Sequence, residues 1–168
     1  MFDDTFRRSV IMMAEHDDEG SIGFILNRPV DMDVNALISA FPEFQARLGY
    51  GGPVGQDSIH YIHNLGEELE ESMLIQDGLW WGGDFEQLIS MVELGKVTAA
   101  DVLFFIGYSG WSVGQLDEEI KAGSWIISEI SASQVLQEDS SELWKETLKP
   151  INNNFSVISE IPDADIYN

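Results

Sequence analysis

The chain has 168 residues, of which 44% are hydrophobic and 11% aromatic, enough apolar material for one hydrophobic core and against wholesale disorder. Thirty Asp and Glu against eight Lys and Arg give a formal charge of −22 at pH 7, which would repel nucleic acid and anionic membranes. The chain has no cysteine, so disulfides and thiolate sites are excluded. We expect one domain over residues 1–168 that binds neither nucleic acid nor membrane directly.

The termini and apolar runs give no sign of export. Residues 1–8 lack the basic start, apolar run and cleavage site of a signal peptide. The longest apolar run, residues 102–106, is far below the ~20 residues that cross a bilayer. Together with the absence of cysteine, these features predict a soluble cytoplasmic protein.

The first predicted element is a β-hairpin. Residues 9–14 and 21–26 are nearly continuous apolar runs, separated by the turn-forming residues 16–20. Such runs are typical of strands that are covered on both faces. Pro29 ends the second run because proline lacks the N–H of a strand ladder.

A short helix is predicted next from apolar residues at the spacing i, i+3, i+4 and i+7, namely Val34, Leu37, Ile38 and Phe41. Pro42 stops it. A glycine-rich bend over residues 49–55 follows. We expect strands over 59–62 and 72–75, on either side of the acidic residues 67–71.

The second half of the chain shows clearer helix signals. Asp84 with Gln87 matches a capping box that opens a helix ending at Gly95. Ser112 with Gln115 repeats the pattern for a helix that ends at Gly123. Further segments are predicted as a buried strand over 102–106, a strand over 125–127, a helix around 143–148 ended by Pro150, and a loosely packed acidic tail over 151–168.

Residues 110–114 match the G-x-S-x-G pattern of serine hydrolases, between a predicted strand and a predicted helix. In that fold the histidine follows the serine, whereas His16, His60 and His63 all precede Ser112. We therefore prefer a helix cap for Ser112. A hydrolase or transferase that uses Ser109 or Ser112 with a spatially adjacent histidine stays open as an alternative.

No metal or cofactor site is predicted. His60 and His63 are three residues apart, so on a strand their side chains would point to opposite faces. The segment from Asp31 resembles a calcium loop, but Ala36 stands where the loop requires glycine. Neither glycine-rich nucleotide-binding pattern is present.

Four segments occur in a fixed order, namely Arg8-Ser9-Val10, residues 23–29, Gly51-Gly52-Pro53-Val54, and residues 107–116. With Trp125, this ordered set resembles the YqgE/AlgH family of bacterial proteins over nearly the whole chain. The resemblance implies an α+β fold, a single compact domain whose mixed β-sheet curves towards a barrel with several short flanking helices, in the bacterial cytoplasm. It implies no established reaction, although some members are labelled transcriptional regulators on genetic grounds.

The chain departs from the family pattern in two places. Family sequences often have glycine at the position of Ser112, which argues against a catalytic serine there. They also usually carry an additional apolar strand ahead of the segment that matches residues 1–4. An incomplete sheet edge is therefore expected in this chain.

We predict a non-enzymatic binding or regulatory module for a small ligand or a protein partner, with no cofactor, no catalytic residue and no metal. Its candidate surface is formed by Asn27, Arg28, Gly52, Pro53, Tyr108, Ser109, Gly110, Trp111 and Gln115. Arg28 would meet an anionic group, and Tyr108 and Trp111 would give rigid apolar contacts.

Two alternatives to this site remain open. Asn27, Arg28 and Gln115 could instead satisfy buried backbone groups of a tightly packed fold. A transcriptional regulator is a third functional class, and the net charge disfavours direct DNA binding by it. The sequence does not give the ligand, the partner or the oligomeric state.

Overall fold

Seven strands form one sheet in the computed structural model, which describes residues 4–137, 140 and 142–149. The strands are β1 Ile11–Asp17, β2 Gly20–Ile25, β3 Arg47–Tyr50, β4 Val54–His63, β5 Met73–Gln76, β6 Leu79–Trp81 and β7 Val102–Trp111. The described helices are α1 Val34–Leu37, α2 Phe85–Glu93, α3 Gln115–Lys121, α4 Ala132–Val135 and α5 Leu143–Leu148. Single 3-10 turns occur at Asp4–Phe6 and Gly66–Glu68.

Strand β7 is the centre of the sheet, whose order is β1-β2-β7-β4-β6-β5. The start of β7 pairs in parallel with β3, and its end pairs antiparallel with β2. Strands β1 and β5 end this order and come near each other without a ladder, so the sheet is nearly closed. The fold is thus α+β with a mixed, barrel-like sheet, as the family resemblance implied.

The core lies on both faces of β7. Phe104 packs with Leu88 of α2 in one hydrophobic cluster, whereas Phe105 packs with Phe24 of β2 in another. All four of these side chains are fully buried. Because consecutive residues of a strand point to opposite faces, a continuous apolar run is what this doubly covered strand requires.

Helix α2 confirms the strongest helix prediction. The Asp84 carboxylate accepts the backbone N–H of Gln87 at 3.0 Å, a cap that contributes about 1 kcal/mol. The Gln87 side chain does not return to the cap residue. It instead accepts the N–H of Glu70 at 2.8 Å and donates to the carbonyl of Glu68 at 3.1 Å, which ties the acidic loop to the helix.

The prediction of a strand over residues 125–127 is wrong. The segment has no ladder partner among the described residues, and a strand-forming sequence becomes a strand only beside another strand. Trp125 is held by its indole N–H, which donates to Glu119 at 2.7 Å. The side chain of Ile127 is 71% exposed.

Several boundaries also differ from the sequence predictions. The buried strand predicted over 102–106 continues to Trp111. Helix α1 ends at Leu37, and Ile38 is already extended, so the apolar spacing overestimated its length. Helix α3 is capped by Gly114 in the left-handed conformation, with a φ of 73°, and Ser112 lies ahead of it. The predicted glycine-rich bend is partly strand, since β3 reaches Tyr50 and β4 begins at Val54.

Two remaining sequence predictions concern the chain ends and membranes. The predicted loose tail over residues 151–168 lies outside the described residues. Among the residues that are described, no helix combines the length and apolar character needed to cross a membrane.

Candidate functional site

The three segments that carry the predicted site meet through their backbones. The N–H of Ile25 donates to the Gly51 carbonyl at 3.0 Å, and the N–H of Gly51 donates to the Ile106 carbonyl at 2.9 Å. The N–H of Tyr50 donates to the Arg28 carbonyl at 2.8 Å. The segments around residues 28, 52 and 108 are therefore neighbours, although their side chains contact different parts of the protein.

Gly52 is required by the close crossing of two segments. Its φ is 153°, and a Cβ atom there would lie 2.3 Å from the Tyr108 carbonyl oxygen and 2.4 Å from the Ser109 hydroxyl. Only glycine fits such an approach without displacement of the backbone. Pro53, the next residue, is exposed. Packing thus explains the glycine at position 52.

Asn27 and Arg28 point to the N-terminal segment. The Asn27 amide accepts the N–H of Val10 at 2.9 Å and donates to the carbonyl of Arg8 at 2.8 Å. The Arg28 guanidinium donates to the carbonyl of Arg7 at 2.7 Å. These contacts favour the alternative in which both side chains satisfy backbone groups of the fold.

The two candidate serines have other partners than histidine. Ser109 is fully buried and donates to the Gly51 carbonyl at 3.0 Å. Ser112 is exposed, and its hydroxyl bonds the side-chain oxygen of Gln115 at 3.1 Å. Within the described part of the chain, neither hydroxyl contacts a base that could activate it.

All three histidines contact a serine elsewhere, in the pairs His16–Ser21 at 2.7 Å, His60–Ser58 at 3.0 Å and His63–Ser72 at 3.1 Å. Ser58 donates its proton to the Gly55 carbonyl at 2.6 Å, and Ser72 donates to the Leu69 carbonyl at 2.7 Å. In these two pairs the ring N–H is therefore the donor. Burial lowers the pKa of both histidines, so they are neutral at pH 7.

The pair of Ser21 and His16 also has a carboxylate nearby. His16 Nε2 lies 3.7 Å from Asp117 Oδ1, which is too long for a hydrogen bond. The side chains of His16 and Asp117 are 51% and 53% exposed. Solvent screens such a pair, so it does not orient His16 as a base.

The side chains of Trp111 and Gln115 are both fixed by Glu119. Its carboxylate accepts the indole N–H of Trp111 at 3.0 Å, that of Trp125 at 2.7 Å and the Gln115 amide at 2.9 Å. The ring of Phe6 packs on both tryptophans. Glu119 was not among the residues predicted from the sequence, although its i+4 spacing from Gln115 on a helix was a usable signal.

Three of the predicted residues, Tyr108, Gly110 and Trp111, line an open hollow of about 390 Å³. It lies between the β1–β2 hairpin and the joined strands β4 and β7. The other lining residues are Glu15, Asp17, Glu19, Gly20, Ser21, Ile22 and Val54. We call it the acidic hollow, since it has three carboxylates and no Lys, Arg or His. From the sequence, residues 16–20 were predicted only to form the turn of the hairpin.

Some polar groups of the acidic hollow form hydrogen bonds within the fold, and others do not. Asp17 Oδ1 accepts the N–H groups of Glu19 at 2.8 Å and Gly20 at 3.2 Å, which fixes the hairpin turn. The carboxylates of Glu15 and Glu19 and the hydroxyl of Tyr108 have no hydrogen-bond partner in the described part of the chain. These three groups can contact a ligand.

The described residues contain no group of three or more His, Asp or Glu placed to hold a metal ion. His60 and His63 both lie in β4, three residues apart. Their partners belong to different surroundings, since His60 lies near the rings of Phe24 and Tyr108 and His63 near Tyr61.

The model of the family described as "DUF179: AlgH-like" matches residues 1–156. The chain belongs to the AlgH-like family. A UPF0301 protein of Chlorobaculum parvum is 38% identical over 163 residues, which cover 97% of this chain and 87% of the relative. A UPF0301 protein of Cytophaga hutchinsonii is 35% identical over 161 residues, covering 95% and 88% of the two chains.

Two solved structures share the fold. The solution structure of the AlgH protein from Pseudomonas aeruginosa has a TM-score of 0.76 at 20% identity, covering 96% of this chain and 88% of that one. The crystal structure of protein DIP2367 from Corynebacterium diphtheriae has a TM-score of 0.76 at 21% identity, covering 96% and 86%.

Proposed function

We propose that the protein is a non-enzymatic binding module and that the acidic hollow is its ligand site. The observation that carries the proposal is the position of Tyr108, Gly110 and Trp111 in one open hollow. An open hollow with an aromatic ring and convergent polar groups is the usual form of a small-ligand site.

The charge of the hollow points to a cationic ligand. Glu15 and Glu19 provide two carboxylates without partners in the described chain, and the Tyr108 ring provides a face for cation–π contact. Arg28, which would have favoured an anion, donates to the Arg7 carbonyl and does not line the hollow. We infer a small amine or guanidinium compound as the ligand class.

The other functional classes have less support. The Ser109 and Ser112 hydroxyls bond a carbonyl and an amide oxygen, which offers no activated nucleophile. The guanidinium groups of Arg28 and Arg47 donate to backbone carbonyls, so they add little to a basic surface for DNA. We also infer a cytoplasmic location, which the absence of cysteine supports.

Isothermal titration with spermidine and with arginine amide tests the proposal. We expect binding that weakens with salt, because exposed carboxylates carry it. The double variant Glu15→Gln/Glu19→Gln should weaken binding about fivefold, the effect of losing two screened ion pairs. Tyr108→Leu should weaken it by a similar factor through loss of the ring face.

The matched control is Glu86→Gln/Glu93→Gln, which removes two exposed carboxylates from α2, away from the hollow. Its binding should match that of the unmodified protein. Equal losses in the two double variants would mean that spermidine follows net charge alone. That result, or no binding of either probe, would contradict the proposed site.

A further inference from the structure

A second hollow, of about 310 Å³, lies between the N-terminal segment, the chain that follows α3, and helix α5. Aromatic and aliphatic side chains form most of its wall, among them those of Phe6, Ile11, Trp125 and Trp144. We call it the apolar pocket. Among the described residues that line it, Arg8 is the only charged one. The apolar pocket therefore differs in charge from the acidic hollow.

The chain that follows α3 presents every second residue to the apolar pocket. Ile126, Ser128 and Ile130 line it, whereas Ile127 does not and is 71% exposed. The Ser128 hydroxyl donates to the Thr147 carbonyl at 3.1 Å, which ties this wall to α5. A wall that is already fixed in this way needs little ordering when a ligand binds.

The backbone of Arg8 is held in an unusual conformation. Its φ is 52°, in the left-handed region that residues with a side chain seldom adopt. The Asn27 amide donates to the Arg8 carbonyl at 2.8 Å, and the Arg28 guanidinium donates to the Arg7 carbonyl at 2.7 Å. Strained residues persist where their surroundings fix them, and they concentrate at binding sites. Asn27 and Arg28 thus position the segment that carries Arg8.

The Arg8 side chain lies along the wall of the apolar pocket. Its guanidinium carbon is 5.1 Å from the centroid of the Trp144 ring. Stacking on an aromatic ring orients the planar guanidinium, and this group matches the two oxygens of a carboxylate. A positive charge beside an apolar wall favours an anion with an apolar body.

We propose that the apolar pocket binds a small apolar carboxylate, whose charged group contacts Arg8 and whose body packs against Trp125, Ile130 and Trp144. Its volume of about 310 Å³ lies within the range of about 300–1,000 Å³ that is usual for small-molecule sites. Inorganic phosphate fits poorly, because the apolar wall would replace its hydration without hydrogen bonds. The site does not share its ligand class with the acidic hollow, so the two proposals stand independently.

Isothermal titration with phenylpropionate tests the proposal, with phenylpropionamide and acetate as matched probes. The amide keeps the apolar body without the charge, and acetate keeps the charge without the apolar body. We expect the amide to bind at least about tenfold more weakly than the acid, because the charge-assisted bond to Arg8 is lost. Acetate should show no binding. In NMR spectra, phenylpropionate should shift the indole N–H signals of Trp125 and Trp144 and leave that of Trp80 unchanged.

Two variants with matched controls locate the site. Arg8→Asn removes the guanidinium, and asparagine tolerates the left-handed backbone, so this variant should fold. It should weaken phenylpropionate about tenfold. Its control is Lys96→Gln, which removes an exposed cation beyond the end of α2. Ile126→Gln should weaken binding several-fold by removing apolar contact, and Ile127→Gln, outside the apolar pocket, is its control. Both controls should bind like the unmodified protein.

Several results would overturn the proposal. Equal binding of the acid and the amide, or unchanged binding by Arg8→Asn, would mean that Arg8 does not select the ligand. No binding of phenylpropionate would exclude the ligand class. NMR shifts centred on Tyr108 and Gly110 would assign the probe to the acidic hollow. Dimers that Ile126→Gln abolishes would make a second copy of the chain the occupant of the apolar pocket.

Discussion

The Glu119 carboxylate accepts hydrogen bonds from three side chains, those of Trp111, Gln115 and Trp125. Burial alone would raise its pKa, but hydrogen bonds from Trp125, Gln115 and Trp111 outweigh that effect and hold the pKa below the usual range of glutamate. The Glu119 carboxylate therefore contributes fully to the free energy of unfolding above the ordinary glutamate pKa. This contribution is lost as the pH falls through the lower pKa of the folded state.

Glu119→Gln should lower the free energy of unfolding by about 1 kcal/mol at pH 7, since a charged acceptor is lost at a partly screened site. Urea unfolding followed by tryptophan fluorescence measures this. The deficit should shrink as the pH falls from 4.5 through the lower folded-state pKa of Glu119, because the carboxylate of the unmodified protein then becomes protonated too. Glu118→Gln, at the exposed neighbouring position, is the control and should change stability little.

A substitution of Arg28 distinguishes a structural role of this side chain from a ligand-binding role. Arg28→Ala removes the donor to the Arg7 carbonyl and should lower the free energy of unfolding by about 1 kcal/mol. Spermidine affinity should not change, because Arg28 does not line the acidic hollow. Titration and urea unfolding of the same variant measure both effects. A change in affinity with unchanged stability would contradict this assignment.

Among the elements, the segment 51–53 passes very close to the backbone of β7 at Tyr108 and Ser109. Gly52→Ala should destabilise the protein by about 3 kcal/mol or prevent folding, because the new Cβ atom would overlap the Tyr108 carbonyl. Gly95→Ala is the control, since Gly95 has a φ of 68° but nothing within 4 Å of its added Cβ. It should cost about 1 kcal/mol. Circular dichroism and urea unfolding compare the two variants.

His63 connects β4 to the loop that leads to β5. Its Nε2–H donates to the Gly82 carbonyl at 2.8 Å, and its Nδ1 accepts the N–H of Leu65 at 3.2 Å. This side chain is fully buried, and burial lowers its pKa from 6.5. Only the neutral ring can make both bonds, since protonation removes the acceptor at Nδ1.

The stability that His63 provides should therefore depend on pH. It is present above 6.5, the pKa of the unfolded state, and is lost as the pH falls from there through the lower folded-state pKa. His63→Gln should lower the free energy of unfolding by about 1–3 kcal/mol at pH 7.5. The difference in this free energy between the variant and the unmodified protein should become smaller towards pH 5.5. Urea unfolding across this pH range measures the difference.

For the whole molecule, the charge of −22 is the dominant electrostatic feature. Mutual repulsion favours the expanded chain, so sodium chloride should raise the melting temperature between about 10 and 300 mM as the Debye length shrinks. Scanning calorimetry measures the rise. It should be smaller at pH 5, nearer the isoelectric point of about 4.1. A melting temperature that is independent of salt at pH 7 would show that repulsion does not limit stability.

Local signals in the sequence predicted the elements whose causes are local. The hairpin of β1 and β2, the capped helix α2 and the buried strand β7 all follow from apolar period, turn residues and caps. The strand over residues 125–127 failed because its formation depends on a neighbouring strand. Strand β6 and the short helix α4 were missed, since three or four residues carry too little pattern to be distinguished from a loop.

The candidate site was predicted only in part. Aromatic and glycine residues in the segment 108–111 marked the wall of the hollow, whereas its acidic rim comes from the hairpin turn at residues 15–19. No local pattern relates these two segments, because their contact arises from the pairing of β2 with β7. Arg28 was predicted to bind a ligand on the basis of its charge. Its hydrogen bond to the Arg7 carbonyl could not be predicted, because it depends on how the N-terminal segment packs against this part of the protein.

The sequence alone determined the composition, the charge, the main strands and helices and, through its ordered motifs, the family. These follow from residue chemistry and from spacings of a few positions along the chain. The tertiary structure decided which side chains face the acidic hollow, which are used within the fold and how the two end strands of the sheet approach each other. Those facts depend on contacts between residues far apart in sequence, and such contacts exist only once the core has packed.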